Sequence, residues 1–330
     1  MPVITDVGVV GAGVVGRSWV RVFRRAGVDV RLFDRDRVQL ERARVDLDQV
    51  SDSSAAGGQP VRDGETVART GHVTYHEALA DVCHGVTYIQ EAAPEDLAVK
   101  RAVIEALDGL SGPDVILASS TSALLMTDMA AATRHPERCV VVHPTNPPHL
   151  LPLVEVVPGQ ATDRVVVSAV VEFMRAVGQV PIICRKEVHG FVLNRLQFAL
   201  TREAFHLVRE GVASLADVDR CVTDGLGPRW AFLGPFAVEH TNAEGIGDGM
   251  KKFAAPIQRV FAEVAQSYGW PTTAEVQSWE EELDRDLGRE DLVKYRDAML
   301  GALRELKSSQ PRPGGETRST LSSPSLASPE

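Results

Sequence analysis

The sequence predicts an α/β protein whose first part forms a doubly wound parallel sheet and whose second part is all-α. Short apolar segments alternate with helical patterns up to about residue 186, which is typical of a parallel sheet with helices on both faces. A glycine-rich turn joins the first apolar segment to the first helix. After residue 186 the chain shows helical patterns and turns but no convincing strand.

The turn after the first strand follows the pattern G-x-G-x-x-G. Gly11 permits a tight turn, Gly13 lets the backbone approach a pyrophosphate, and Gly16 lets the helix pack close to the strand. The helix that begins with Val14 and Val15 points free N–H groups and the positive end of its dipole at the phosphates. The pattern therefore predicts a Rossmann-type dinucleotide site.

A second strand ends in Asp34, about 20 positions after the glycines, where an acid accepts hydrogen bonds from the adenosine ribose. Asp34 repels a 2′-phosphate and favours NAD over NADP. Arg35 and Arg37 leave the strictness of this preference open, because a nearby Arg can hold that phosphate. Glu91, which ends a later strand, is a further expected cofactor contact.

The pattern predicts three segments with distinct roles. Strands are expected at 7–10, 29–33, 86–91, 114–118, 139–142, 153–157 and 180–184. Residues 1–186 form the dinucleotide-binding domain, 187–307 a helical substrate and dimerisation domain, and 308–330 a disordered tail rich in Ser, Pro and Gly. The long helix after Gly190 is apolar nearly all round and is expected to be buried.

Composition excludes several classes of protein. The net charge of −10 argues against a broad nucleic-acid footprint, and no apolar run approaches the roughly 20 residues that a membrane helix needs. The four cysteines are widely spaced, which favours free thiols in a reducing cytoplasm. His72 and His76 flank an extended stretch and would not share a helical face, so no metal site is expected.

Polar side chains stand where ligands bind, beyond the carboxyl ends of the strands: Ser122, His143 and Glu155. An enzyme that transfers hydride from an alcohol needs a base for the hydroxyl proton, and imidazole suits this role. Glu155 lies in an apolar strand, where an acid is costly unless it is partnered, so a pair with His143 is plausible. The alternative is a strand-end His with no role and a Glu that faces solvent.

A set of motifs extends from Val7 to about Leu303. They are VGAGVVGRSW at 10–19, IQEAAPED at 89–96, SSTS at 119–122, HPTNPP at 143–148, PLVEVVP at 152–158, GFVLNR at 190–195 and GLGPRWAFLGP at 225–235. Together they resemble the 3-hydroxyacyl-CoA dehydrogenase superfamily and, within it, the lambda-crystallin or L-gulonate 3-dehydrogenase branch.

The resemblance implies an NAD-dependent oxidation of a 3-hydroxy acid to the 3-keto acid. The catalytic His of the family falls on His143 and its supporting Glu on Glu155, while the Ser and Asn that hold the substrate oxygen fall on Ser122 and Asn194. The resemblance also implies a homodimer formed by the C-terminal helices.

The sequence does not distinguish between several substrates. Arg229 and Trp230, with the stretch 242–245, resemble the lambda-crystallin and carnitine dehydrogenase type, and Arg is suited to clamp a free carboxylate. Arg229 could instead form an interface or surface ion pair. The alternatives are an L-3-hydroxyacyl-CoA (3-hydroxybutyryl-CoA) dehydrogenase, a carnitine dehydrogenase, or a non-catalytic, crystallin-like structural protein.

Overall fold

The structure is a computed structural model, and it describes residues 4, 6–53, 70–241, 244–252, 254–264, 272–275, 277, 278 and 289–309. The chain divides into two compact units: Met1–Asn194 with Lys294–Glu330, and Arg195–Val293. The strands of the first unit are β1 (Asp6–Val10), β2 (Asp29–Phe33), β3 (Val73–His76), β4 (Tyr88–Glu91), β5 (Ile116–Ser119), β6 (Cys139–Pro144), β7 (Leu153–Pro158) and β8 (Val180–Ile183).

Helices flank the sheet and make up the described part of the second unit. The first unit has α1 (Val14–Arg25), α2 (Arg37–Ser53), α3 (Leu97–Leu110), α4 (Met126–Met129) and α5 (Arg164–Ala176), with 3-10 turns at Leu79–Cys83 and Pro136–Arg138. The chain continues with α6 (Leu193–Arg209), α7 (Leu215–Arg220), a π-helical turn (Cys221–Leu226), α8 (Gly227–Trp230), α9 (Pro235–His240), α10 (Ile246–Lys252), α11 (Ala254–Val264) and α12 (Arg289–Ser309).

The eight strands form one sheet in the order β3-β2-β1-β4-β5-β6-β7-β8. The first six strands are parallel, which confirms the doubly wound sheet. β7 runs antiparallel to β6, however, and β8 is parallel to β7, so the expectation of a wholly parallel sheet is wrong at this edge. Residues 145–152 join β6 to β7 without a helix. A parallel crossover needs about a dozen residues or more, so this connection can only reverse the chain.

Both faces of the sheet are covered, which explains why every residue of β4, β5 and β6 is buried. On one face, Phe23 of α1 stacks on Trp19 with ring centroids 5.3 Å apart and on Phe173 of α5 at 5.5 Å. On the other face, Ile104 and Leu107 of α3 pack with buried side chains of the sheet. The spacing of apolar residues in the sequence predicts the helices and strands of this core, whereas it predicts β3 only as an extended stretch.

The long helix α6 departs from the sequence expectation in two ways. It begins at Leu193 rather than at Gly190, and none of its residues is buried within the single chain. Leu196 and Phe198 keep 60% and 54% of their surface exposed. α6 has more apolar surface than its own chain covers here, so the expectation of burial is wrong for the isolated chain.

Some features lie at or beyond the limits of what the structure describes. α12 extends to Ser309 and so includes the first two residues of the expected tail, and 310–330 lie outside the described residues. Among the described helices, none combines the length and the apolarity needed to cross a bilayer. Within the same residues, no cluster of His, Cys, Asp and Glu could hold a metal ion. The four cysteines are free thiols.

A buried ion pair fixes the start of β6, the strand that carries His143. Arg138 precedes β6 directly, and its Nη2 donates to Oδ1 of Asp108 at 2.7 Å. Arg138 Nη1 donates to the carbonyl of Val115 at 3.1 Å, next to β5. The two charged side chains are only 3% and 2% exposed. Because each ion depends on the other for compensation, removal of one leaves an unpaired charge in the interior.

We expect Asp108→Ala to lower the free energy of unfolding by about 3–5 kcal/mol, the usual effect of breaking a buried pair. Arg44→Ala is the matched control, because Arg44 forms an exposed pair with Glu41 at 3.9 Å, and it should change this free energy by less than about 0.5 kcal/mol. Denaturant titrations followed by circular dichroism measure both. Equal effects of the two substitutions would contradict a structural role for the buried pair.

Candidate active site

The antiparallel pairing of β6 and β7 places His143 directly opposite Glu155. Nδ1 of His143 lies 2.7 Å from Oε2 of Glu155, and the two side chains are 4% and 0% exposed. A carboxylate only accepts hydrogen bonds, so this contact requires a proton on Nδ1, and in the neutral imidazole the lone pair then lies on Nε2. The arrangement suits a base whose free nitrogen is Nε2.

The second oxygen of Glu155 is held by the chain at the start of α6. Oε1 accepts hydrogen bonds from the backbone N–H groups of Val192 at 2.8 Å and Leu193 at 2.9 Å. Burial alone would raise the pKa of Glu155, but the hydrogen bonds from His143 and from these two N–H groups outweigh it and hold the pKa below its ordinary value. Glu155 is therefore an ionised carboxylate with fixed partners.

The other two residues that the resemblance assigned to the site also meet. Nδ2 of Asn194 donates to the backbone carbonyl of Ser122 at 2.8 Å. Asn194 therefore fixes the loop that carries Ser122, and one of its two amide donors is used for this. The short segment 190–194 thus contacts both pairs, because it also supplies the N–H groups that bind Glu155.

The loop that carries Ser122 has a second anchor, which the sequence analysis missed. Oε1 of Glu95 accepts hydrogen bonds from Oγ1 of Thr121 at 2.6 Å and from the N–H groups of Ser122 at 2.9 Å and Ala123 at 3.2 Å. In the sequence, Glu95 looks like one of several acids at the start of a helix. That pattern does not show that its side chain turns away from the helix to hold a distant loop.

Glu91 does not present its carboxylate to the outside of the sheet. It is fully buried, and Nζ of Lys100 donates to its Oε1 at 2.9 Å. The N–H of Ala93 donates to the same oxygen at 2.6 Å, and the hydroxyl of Ser119 donates to Oε2. With these interior partners, side-chain contact between Glu91 and a bound cofactor is disfavoured. In the structure the side chain holds Lys100 and the end of β5, and the contact of Glu91 with the cofactor stays a prediction.

Two glycines of this turn are required by the fold itself, whereas the third has free space beside it that fits a ligand. A Cβ on Gly11, which has a φ of +107°, would lie 2.5 Å from the carbonyl oxygen of Ala92, and one on Gly16 would lie 1.8 Å from the carbonyl oxygen of Gly11. Gly13 has an ordinary φ of −68°, and a Cβ there would meet no heavy atom within 4 Å. The fold itself therefore does not require Gly13, and the open space fits a closely approaching pyrophosphate.

The remaining groups around this turn also fit a dinucleotide. Gly13 is the N-cap of α1 and offers no side-chain cap, so the positive helix end, which begins with Val14 and Val15, is left for phosphate. At the end of β2, Asp34 accepts hydrogen bonds from the N–H groups of Ala12 at 2.7 Å and Asp36 at 2.9 Å, which fix its carboxylate beside the turn.

The two arginines that left the choice between NAD and NADP open differ in the structure. Arg37 is exposed and forms an ion pair with Glu77. Arg35 is exposed and follows Asp34 directly in the chain. Because Arg37 already has an acidic partner, Arg35 is the better placed of the two to oppose the preference that Asp34 gives for NAD.

Arg229 lies in α8 of the second unit, directly after the π-helical turn, and is exposed. No acid among the described residues forms an ion pair with its guanidinium. The ion-pair alternative weighed from the sequence therefore finds no support within the described part of the chain. Asn242, from the motif that accompanied Arg229 in the resemblance, lies outside the described residues.

A Rossmann-type sheet with an uncapped glycine turn and a buried His–Glu pair defines an NAD-dependent dehydrogenase. The family model "3-hydroxyacyl-CoA dehydrogenase, NAD binding domain" matches residues 6–188, and the model of the C-terminal domain of the same family matches residues 190–279. The chain belongs to the 3-hydroxyacyl-CoA dehydrogenase family, and its cofactor is NAD.

Relatives and solved structures agree with this assignment. Lambda-crystallin of Oryctolagus cuniculus is 39% identical over 263 residues, which cover 78% of this chain and 81% of the relative. L-carnitine dehydrogenase of Burkholderia mallei is 40% identical over 257 residues, 77% of this chain and 78% of the relative. Among solved structures, a 5-formyl-3-hydroxy-2-methylpyridine 4-carboxylic acid 5-dehydrogenase, an NAD+-dependent dismutase, has a TM-score of 0.79 at 28% identity and covers 94% of this chain and 100% of its own.

We expect Gly13→Ala to weaken NADH binding at least about tenfold while the melting temperature stays unchanged, since the methyl group would enter the space that a pyrophosphate needs. The control is Gly109→Ala in α3, where an added Cβ also meets nothing within 4 Å. It should leave NADH affinity unchanged and keep the melting temperature at or above that of the wild type, because Ala favours a helix more than Gly does. NADH fluorescence titration and thermal unfolding measure the two effects. Wild-type NADH affinity in Gly13→Ala would contradict this placement of the pyrophosphate.

Proposed function

We propose that the protein oxidises the 3-hydroxyl group of a free 3-hydroxy acid to the 3-keto acid, in the manner of an L-gulonate 3-dehydrogenase. The observation that carries this proposal is the buried pair of His143 and Glu155, in which Nδ1 is bound at 2.7 Å and Nε2 is left as the basic nitrogen. Alcohol oxidation by hydride transfer needs such a base for the hydroxyl proton.

In this proposal each of the four site residues has a separate role in the oxidation of the substrate alcohol. Bound NAD supplies the acceptor for the hydride that leaves the hydroxyl-bearing carbon. Nε2 of His143 takes the hydroxyl proton, so that the C–O bond becomes a carbonyl, and the ionised Glu155 stabilises the imidazolium that results. Ser122 and Asn194 hold the substrate oxygen, and the anchors on the Ser122 loop fix its position beforehand.

The proposal of a free acid rests on Arg229 and on the relatives. The guanidinium offers a planar fork of donors that matches a carboxylate, and within the described residues no acid pairs with it. The solved dehydrogenase is named for a substrate that carries a carboxylic acid, and a relative at 40% identity is named for L-carnitine. We therefore propose that Arg229 binds the carboxylate of the substrate.

The second candidate is an L-3-hydroxyacyl-CoA, such as 3-hydroxybutyryl-CoA, and the name of the family favours it. The four proposed site residues would serve a thioester equally well. An activity screen that compares L-gulonate, L-3-hydroxybutyrate, carnitine and 3-hydroxybutyryl-CoA separates the candidates. A purely structural, crystallin-like role is disfavoured because all four residues that the resemblance assigns to the site, Ser122, His143, Glu155 and Asn194, are present.

The same proposal includes a homodimer in the cytoplasm. Large apolar side chains of the second unit are exposed in the single chain: Leu196, Phe198, Leu200, Phe232, Phe236 and Phe261. Exposed apolar side chains in this number indicate an interaction surface, and a second copy of the chain presents the same side chains in return. Three of the four free thiols are buried, which suits a reducing compartment.

We expect His143→Gln to lower turnover by about 10²–10⁴-fold, the usual contribution of a general base, while the affinity for NADH stays unchanged. His135→Gln is the matched control, because His135 forms an exposed pair with Glu137 at 3.1 Å and should not affect turnover. Steady-state kinetics with the acid that performs best in the screen measure the effect. Near-normal turnover in His143→Gln would remove this residue from the role of base.

We expect Arg229→Met to raise KM for a free acid by roughly 10- to 150-fold, which corresponds to the loss of a charge-assisted hydrogen-bonded pair. NADH binding should not change. Arg220→Met is the control, since Arg220 lies in the same unit and pairs with Asp217 at 3.0 Å on the surface. If KM for every active free acid is unaffected in the Met variant, Arg229 does not bind the carboxylate and the thioester substrate is favoured.

A further inference from the structure

The segment that joins β8 to α6 contains a backbone conformation that L-residues rarely adopt. Gly190 has a φ of +76°, and the next residue, Phe191, has a φ of +49°. Glycine tolerates this region freely, whereas a side chain crowds its own backbone there. Asn and Asp can compensate with a local hydrogen bond, but a phenyl ring has no polar atom with which to do so. Contacts made by the ring of Phe191 must therefore compensate for this unfavourable backbone conformation.

The ring of Phe191 is packed against the imidazole of the proposed base. The centroids of the Phe191 and His143 rings are 5.6 Å apart with an angle of 57° between the planes, and Phe191 is 1% exposed. An apolar ring in this position restricts rotation of the imidazole. It also keeps water away from the bond between Nδ1 of His143 and Glu155.

The backbone conformation of Phe191 positions the N–H groups that bind Glu155, the partner of His143. The N–H of Phe191 closes a turn on the carbonyl of Val188 at 3.0 Å. The next two residues, Val192 and Leu193, then direct their N–H groups at Oε1 of Glu155. An ordinary helical or extended conformation at residue 191 would send these N–H groups elsewhere. One residue therefore constrains the base through its ring and the supporting carboxylate through its backbone.

We propose that Phe191 is a positioning residue, which holds the imidazole of His143 and the carboxylate of Glu155 in the geometry needed for proton transfer. This inference rests on the proposed role of His143 as the base. It differs from simple packing in what it predicts: loss of the ring should loosen the His143–Glu155 bond and slow turnover, beyond any effect on stability.

The test compares Phe191→Ala and Phe191→Leu with the core control Phe173→Ala. The Ala variant removes the ring, and the Leu variant keeps apolar bulk over the imidazole. Phe173 is also a buried aromatic residue, stacked on Phe23 at 5.5 Å, so its removal reproduces the loss of core packing alone. The first readout is the proton resonance of Nδ1–H in protein labelled with ¹⁵N-histidine, which needs no substrate. The chain has nine histidines, and absence from His143→Gln assigns the signal.

In Phe191→Ala we expect this resonance to broaden or vanish through exchange with water, and kcat to fall by about 10²-fold, as small misplacements of catalytic groups do. KM and NADH affinity should change little. Phe191→Leu should recover part of both the signal and kcat. Phe173→Ala should lower the melting temperature but keep the resonance and kcat. If the Ala variant does not fold, the Leu variant decides, with faster exchange and a smaller fall in kcat expected.

The inference is overturned if Phe191→Ala, or Phe191→Leu where only that variant folds, keeps the wild-type resonance and kcat and loses only stability, as Phe173→Ala does. Failure of the proposed function would look different. In that case His143→Gln would itself retain turnover, while the resonance would still report whether Phe191 holds the imidazole against Glu155.

Discussion

The buried carboxylate of Glu155 imposes the strictest physical condition on this site. A charge with no exposed surface is costly unless hydrogen bonds replace the lost water, and here they come from His143, Val192 and Leu193. The donors of these three bonds belong to two parts of the chain that are distant in sequence, the end of β6 and the start of α6. The carboxylate is therefore satisfied only when both parts are in place, so the condition that stabilises the charge also assembles the site.

The reversed edge of the sheet makes this arrangement possible. Glu155 is the third residue of β7, and His143 is the next-to-last residue of β6. If β7 were parallel to β6, the first residues of β7 would lie beside the first residues of β6, far from the end of β6 that carries His143. Because β7 is antiparallel, an acid near its start lies directly opposite the histidine. The short connection between the two strands, which excludes a parallel crossover, is thus a requirement of the site.

Much of this molecule follows from sequence patterns, and the exceptions have physical causes. The glycine turn, Asp34 and the pairing of His143 with Glu155 depend on spacing, on burial and on the cost of an unpartnered acid, all of which a sequence displays. The anchoring role of Glu95 could not be predicted, because the side chain reaches a loop 26 residues away. The exposure of α6 could not be predicted either, since helical periodicity shows that a surface is apolar but not which molecule covers it.

The hydrogen bonds to Glu155 also determine the pH range in which this carboxylate is charged and stabilises the fold. A lowered pKa means that this carboxylate stabilises the fold above the ordinary pKa of a Glu and loses that contribution only as pH falls through the lowered value. Around neutral pH the carboxylate stays ionised and keeps the proton of His143 on Nδ1. The imidazole is therefore held through Nδ1, and Nε2 takes no part in the contact with Glu155. Glu155 thus keeps a constant charge beside His143, which suits the proposed role of His143 as the base.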